Sequence, residues 1–181
     1  VKEAGTADRL SGTHGEWVSG IGGGRIMTTI LKITDSDEKA HIVEYVLSDL
    51  PEWFGLPEST AEYIHDSREL DLWAAKDNGE YIGFITLSQS STDCGEIHCM
   101  GVKKAYHRKG VGTLLLEALK NFAKTTYEYL QVKTVDEGHY KEYDQTIAFY
   151  KKQGFKKLEV FPTLWDEWNP CLVMIQKLYA R

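Results

Sequence analysis

Between Tyr106 and Thr113 the chain reads Tyr-His-Arg-Lys-Gly-Val-Gly-Thr, and an apolar repeat of helical spacing begins at Val111. The first amides of a helix have no partner inside the helix and carry the positive end of its dipole. Ser, Thr, Asp or Asn ordinarily caps them. None stands between His107 and Gly112, which leaves those donors for an external anion. Gly110 and Gly112 add no bulk and let a phosphate approach the backbone. Arg108 and Lys109 concentrate positive charge in a chain of formal net charge −6. The competing reading is an ordinary helix start with glycines packed against a sheet; position and charge together favour the anion site.

Upstream, Gly95-Glu96-Ile97-His98 brings a carboxylate and an imidazole into one extended stretch. Strand alternation would set Glu96, His98, Met100 and Val102 on one face. A carboxyl of ordinary pKa ~4.3 needs a raised value or a water relay to accept a proton near neutrality. An imidazole near ~6.5 is the alternative base. The bland readings are a solvated strand-end glutamate and a packed histidine. Cys94, His98 and Cys99 are close in sequence, but strand neighbours point to opposite faces, so no metal is expected there. Three cysteines without a CxxC pair imply neither a disulfide framework nor a structural zinc site.

These residues need elements to hold them. Thr29–Thr34 reads as a strand, followed by a helix with Asp35 and Glu38 as its capping pair and Ile42, Val43, Val46, Leu47 and Leu50 on its apolar face. A shorter helix is expected over Glu58–His65. Asp77-Asn78-Gly79-Glu80 between Leu72–Ala75 and Tyr81–Leu87 is a hairpin signal, because Asn-Gly accepts positive φ. Glu96–Val102 is a strand, Val111–Ala123 a helix, Tyr129–Thr134 a strand and Tyr143–Gln153 a helix ended by Gly154. Phe155–Val160 and Cys171–Leu178 are the last strands. The expectation is a single mixed-sheet α/β domain over residues 27–181, in the order β-α-α-β-β-β-α-β-α-β-β. Residues 1–26, with seven glycines and no sustained apolar period, read as a flexible leader of expression-vector type.

The turn resembles the Gln/Arg-x-x-Gly-x-Gly/Ala signature of the GNAT superfamily of N-acetyltransferases, with His107 in the Gln/Arg place. Phe149-Tyr150-Lys151-Lys152-Gln153-Gly154-Phe155 resembles that family's Phe-Tyr-x-x-x-Gly-Phe. The resemblance covers roughly Thr29–Leu178, and the tail from Phe161 to Leu178 is similar to a bacterial branch. It implies a GNAT fold, acetyl-CoA as cosubstrate and transfer of acetyl to a primary amine. The acceptor is expected to be a small molecule, with a protein amine or a non-catalytic acetyl-CoA-binding module as alternatives. The backbone and side chains of His107, Arg108, Lys109, Gly110, Val111, Gly112 and Thr113 would hold the pyrophosphate, and Met100, Gly101 and Val102 would pair with the pantetheine arm. Glu96 takes the place of the general base and Tyr150 that of the general acid. The Asn often found seven residues before that tyrosine is Tyr143 here. Trp53, Phe54, Trp165 and Asp166, with Glu167 and Trp168 beside them, are the substrate-side candidates, as apolar walls, cation–π faces or acids for a second ammonium; a hydrophobic lid or dimer contact is the plainer role for them.

With net charge −6, general affinity for nucleic acid is not expected, whereas cationic substrates are weakly favoured. No apolar run reaches the ~18–20 residues of a membrane span, and no signal-peptide core is seen at the start. A cytoplasmic, metal-free enzyme, with a homodimer implied by the resemblance, is the expectation.

Overall fold

The structure is a computed structural model that describes residues 28–179 and the backbone of Trp17 and Val18. The leader expected over residues 1–26 otherwise lies outside the described residues. The elements are β1 (Trp17–Val18), β2 (Thr29–Ile33), α1 (Ser36–Leu47), α2 (Pro57–Asp66), β3 (Asp71–Asp77), β4 (Glu80–Gln89), β5 (Cys94–Val102), α3 (Val111–Ala123), β6 (Tyr129–Val135), α4 (Lys141–Lys152), β7 (Lys156–Asp166) and β8 (Asn169–Lys177). From β2 onward this is the expected order. The strands form one sheet in the order β1-β2-β3-β4-β5-β6-β8-β7. Only β5 and β6 run parallel; every other neighbouring pair is antiparallel.

The local signals act as their chemistry requires, with some changes of detail. Asp35 Oδ1 accepts the Glu38 amide at 2.8 Å and caps α1. The reciprocal half of the capping box is missing, because the Glu38 carboxylate takes the Tyr81 hydroxyl instead. Asn78 (φ 48°) and Gly79 (φ 84°) turn β3 into β4. Helix α4 starts at Lys141, two residues before the apolar period suggests. Strand β7 runs on to Asp166 past Pro162 and forms a long hairpin with β8. That proline is tolerated because β7 is the sheet's edge strand.

Two apolar clusters lie on the two faces of the sheet. Ile42, Val43, Val46 and Leu47 of α1 pack on Leu72, Ala74, Phe84 and Cys99. Leu115, Leu116 and Leu119 of α3 and Ile147 and Tyr150 of α4 pack on Ile85, Ile97, Leu130 and Met174. The helices α1–α2 and α3–α4 thus grip β5 and β6 from opposite sides, and this positions everything that follows. Among the described residues no helix is long and apolar enough to cross a membrane.

Candidate active site

Strand β5 is paired on one side with β4 as far as Val102, but on the other side its parallel ladder with β6 spans only Cys94–Ile97 against Tyr129–Val132. Beyond Ile97 the two strands diverge, since β6 remains tied to β8 as far as Val135. The β6-facing backbone of Met100–Val102 is therefore left without a strand partner, an edge that an extended ligand can complete.

The β4–β5 register shifts by one residue between Thr86 and Leu87: Thr86 pairs with Cys99 and Leu87 with Ile97, so His98 is an extra residue on β5. Such a bulge reverses the alternation of everything after it. The Thr86 hydroxyl holds it in place, donating to the Cys99 carbonyl at 3.1 Å and accepting the Cys99 amide at 3.0 Å. Cross-strand partners share a face, so Glu96, opposite Ser88, lies on the α1–α2 side, and Met100, opposite Ile85, lies on the α3–α4 side. This corrects the expectation that Glu96, His98, Met100 and Val102 share one face. His98 also sits on the α2 side, its ring 5.5 Å from that of Tyr63 and its Nε2 3.2 Å from Asp66 Oδ2.

At the far end of the diverging strands a short 3-10 turn, Lys104–Tyr106, leads into α3. Gly110 is the N-cap, left-handed at φ 86°, and no side chain caps the helix. Its first intrahelical bond of this kind is Leu114 N–H to the Gly110 carbonyl at 3.1 Å, so the amides of Val111, Gly112 and Thr113 precede any such acceptor. Arg108 is left-handed too, at φ 59°, an uncommon state for a residue with a Cβ. A turn of this kind exposes successive N–H groups to one side. Arg108 and Lys109 are exposed, and among the described residues neither meets a carboxylate within ion-pair distance. A Cβ on Gly112 would lie 3.1 Å from Met100 Cε and 3.3 Å from Phe149 Cζ, so this glycine also seats α3 against β5 and α4. His107 turns inward: Nε2 donates to the Val102 carbonyl at 2.6 Å, and the ring meets Trp53 edge-on at 5.6 Å. Thr113 accepts from Gln153 Nε2 at 3.0 Å, tying α3 to α4. Within the expected phosphate-holding set, His107 and Thr113 shape the turn and the backbone from Gly110 onward offers the donors.

The Glu96 carboxylate is only 14% exposed and is held by Lys133 Nζ at 2.9 Å and by the Gln131 amide. On the opposite face Tyr150 is buried, its ring edge-on to Phe149 and Phe155. Its hydroxyl points to Met100 Sδ, 3.8 Å away. Burial pushes the Tyr150 pKa upward, so the phenol keeps its proton well above neutral pH. A carboxylate and a protonated phenol thus flank the region of diverging strands from its two sides. Burial also pushes up the Cys99 thiol, which disfavours a thiolate nucleophile.

Of the substrate-side candidates, Trp53 is a brace. Its Nε1 donates to the Glu142 carbonyl at 3.2 Å, and its own carbonyl accepts the Tyr143 hydroxyl at 2.7 Å. Phe54 packs edge-on against Tyr63, which in turn meets His98. Trp165 is exposed on the β7–β8 hairpin, and Asp166 spends its oxygens on the Trp168 and Asn169 amides and the Asn169 side chain. Among the described residues no hydrogen bond, ion pair or ring contact joins this hairpin tip to Trp53 or Phe54. Asp66, Gln131 and Lys133, the polar partners of His98 and Glu96, are not among the expected site residues; their only local signal is polarity, and their meaning is set by pairing across the fold.

Residues 33–155 match the Acetyltransferase (GNAT) family. The uncharacterized protein YdhI of Bacillus subtilis is 30% identical over 125 residues, 67% of this chain and 73% of its own length. An N-alpha-acetyltransferase of Sulfurisphaera tokodaii is 28% identical over 162 residues, 81% of this chain and 90% of its own. An aminoglycoside 6'-N-acetyltransferase complexed with coenzyme A shares the fold with a TM-score of 0.64 at 20% identity, over 84% of this chain and 98% of that one.

Proposed function

The chain belongs to the acetyltransferase (GNAT) family and is a transferase, and on that premise we propose that it carries acetyl from acetyl-CoA to a primary amine of a small molecule. The observation that carries this reading is the uncapped α3 start at Gly110 beside the unpaired β5 edge. The solved aminoglycoside 6'-N-acetyltransferase of the same fold is complexed with coenzyme A, which supports the choice of cosubstrate. We take residues 27–181 as the catalytic domain.

Bound acetyl-CoA supplies an activated thioester. In this reading the amides of Val111, Gly112 and Thr113 hold its pyrophosphate, with Arg108 and Lys109 adding positive charge, and the edge of Met100–Val102 that has no strand partner, its Val102 carbonyl already taken by His107, aligns the pantetheine arm. A backbone amide on that edge polarises the thioester carbonyl as charge develops on its oxygen. Glu96, on the α2 side, accepts a proton from the substrate ammonium, directly or through water, and so frees the nitrogen lone pair for attack; His98 beside it is the alternative acceptor. As the C–N bond forms and the C–S bond breaks, Tyr150 delivers its proton to the departing sulfur, and the surplus proton of the new amide nitrogen restores the phenol. Its hydroxyl already faces a sulfur atom, that of Met100. The buried, weakly acidic Cys99 supports direct attack by the amine over an acyl-cysteine intermediate. The brace from Trp53 to Glu142 and Tyr143 restricts the approach to β5, which favours a compact acceptor.

Gly112→Asp tests the phosphate site. Asp at this place in a helix suits the dipole; its Cβ would meet Met100 Cε at 3.1 Å and Phe149 Cζ at 3.3 Å, so both side chains must give by a few tenths of an ångström, and a circular dichroism spectrum checks that they do. The fold should persist while acetyl-CoA affinity, measured by titration calorimetry, falls by about ten- to a hundredfold, or ~1.4–2.8 kcal/mol. Unchanged affinity in a folded variant sinks the site. Release of free CoA thiol across small primary amines and peptides with free N-termini tests the acceptor class: turnover is expected with small amines, and turnover confined to peptides would replace that reading with a protein-directed one.

A further inference from the structure

Past the last β5–β6 pair, Ile97 with Val132, one side chain from each strand flanks the gap on the α3–α4 face. From β5 it is Met100. From β6 it is Thr134, two residues beyond Val132 and opposite Leu172, both of which belong to the apolar cluster under α3 and α4. Strand neighbours point to opposite faces, and Lys133, the residue before Thr134, reaches Glu96 on the other side. Tyr150 comes to the same face from α4, its hydroxyl pointing to Met100 Sδ.

Thr134 is 4% exposed, and among the described residues its hydroxyl has no hydrogen-bond partner. A buried hydroxyl left unpaired destabilises a fold, and native structures contain few of them. The contrast with Thr86, also buried, is direct: that hydroxyl donates to the Cys99 carbonyl and accepts the Cys99 amide, so it has a task within the sheet. Thr134 has none. Valine has nearly the same shape and would fill the position without a polar atom. A hydroxyl with no work in the free fold needs a partner from outside the chain.

We propose that Thr134 is a cofactor-binding residue, its hydroxyl donating to an amide carbonyl of the pantetheine arm of acetyl-CoA laid along β5. This rests on the acetyl-transfer reading and adds to it a side chain from the opposite wall of the gap. The ligand chemistry fits the placement. The arm is an extended chain with secondary amides, able to pair with the β5 edge on one side and to meet β6 on the other. An amide oxygen has two lone pairs, so one carbonyl can accept a backbone N–H and the hydroxyl together.

Thr134→Val removes the hydroxyl and keeps the branched shape that suits a strand. Titration calorimetry on the full chain should show acetyl-CoA and CoA weakened alike, by about five- to tenfold, the worth of one neutral hydrogen bond. The phosphorylated ADP half of CoA, which lacks the arm, should bind parent and variant equally. Tm of the ligand-free variant should stay level or rise, because no hydrogen bond is lost. Thr134→Ser keeps the hydroxyl and should bind acetyl-CoA more tightly than Thr134→Val does, even where the lost methyl lowers its Tm. Unchanged acetyl-CoA affinity in Thr134→Val, the result if only a buried water meets the hydroxyl, overturns the proposal. So does a lowered Tm with the armless ligand weakened as much as acetyl-CoA, which is damage to the fold. A loss confined to acetyl-CoA overturns it too, since that puts the hydroxyl on the thioester. A parent protein that binds neither acetyl-CoA nor CoA overturns the acetyl-transfer reading and the proposal with it.

Discussion

Glu96→Gln should lower kcat/KM for a primary amine near pH 7 by ~10²-fold or more, the usual worth of a general base. The substitution keeps the shape of the side chain and removes its ability to take a proton. Lys133 loses its partner, but its side chain is 34% exposed and water can solvate it, so the fold should survive. The sign of the pH dependence follows from the amine. An alkylamine of pKa ~10 is almost wholly ammonium at pH 7, and its free-base fraction rises about tenfold per pH unit. The variant should therefore be worst at low pH and should partly recover as pH rises. A pH–rate profile identical to that of the parent protein moves proton acceptance to His98 or to solvent.

Tyr150→Phe should lower kcat by ~10²-fold while acetyl-CoA binding stays nearly intact. The hydroxyl has one partner, Met100 Sδ at 3.8 Å, a long and weak contact. Its removal should cost less than ~1 kcal/mol of stability, because no strong buried hydrogen bond is lost. The packing of the ring against Phe149 and Phe155 is kept. Measuring kcat and Tm on the same variant separates the roles. A lowered Tm with unchanged kcat makes Tyr150 a core residue and removes it from the mechanism.

Much of the molecule is legible in local sequence because its signals are local. The apolar period of α3, Asn78-Gly79 between β3 and β4, and the uncapped Gly110 start each depend on residues within one turn or one hairpin. The face assignments depend on pairing. Strict alternation along β5 places Glu96 with Met100; the extra residue at His98 becomes visible only when Thr86 and Leu87 are set against Cys99 and Ile97. The partners of Glu96 are equally remote, since Gln131 and Lys133 reach it from 35 and 37 residues away. Trp53 reads as a substrate wall in isolation, and its bonds to Glu142 and Tyr143 cross 89 and 90 residues. The β7–β8 hairpin is hidden for a different reason: Pro162 argues against a strand, and only the edge position of β7 makes it acceptable.

The fate of the acetyl group tests the proposed transfer most directly. Acetyl-CoA carrying a deuterated acetyl should be incubated with the protein and a panel of small primary amines, and both products followed by mass spectrometry. The predicted result is labelled acetyl on the amine nitrogen, one free CoA thiol for each label transferred, and loss of both with Tyr150→Phe and Glu96→Gln. Labelled acetyl-CoA that binds and stays intact beside every primary amine offered would contradict it.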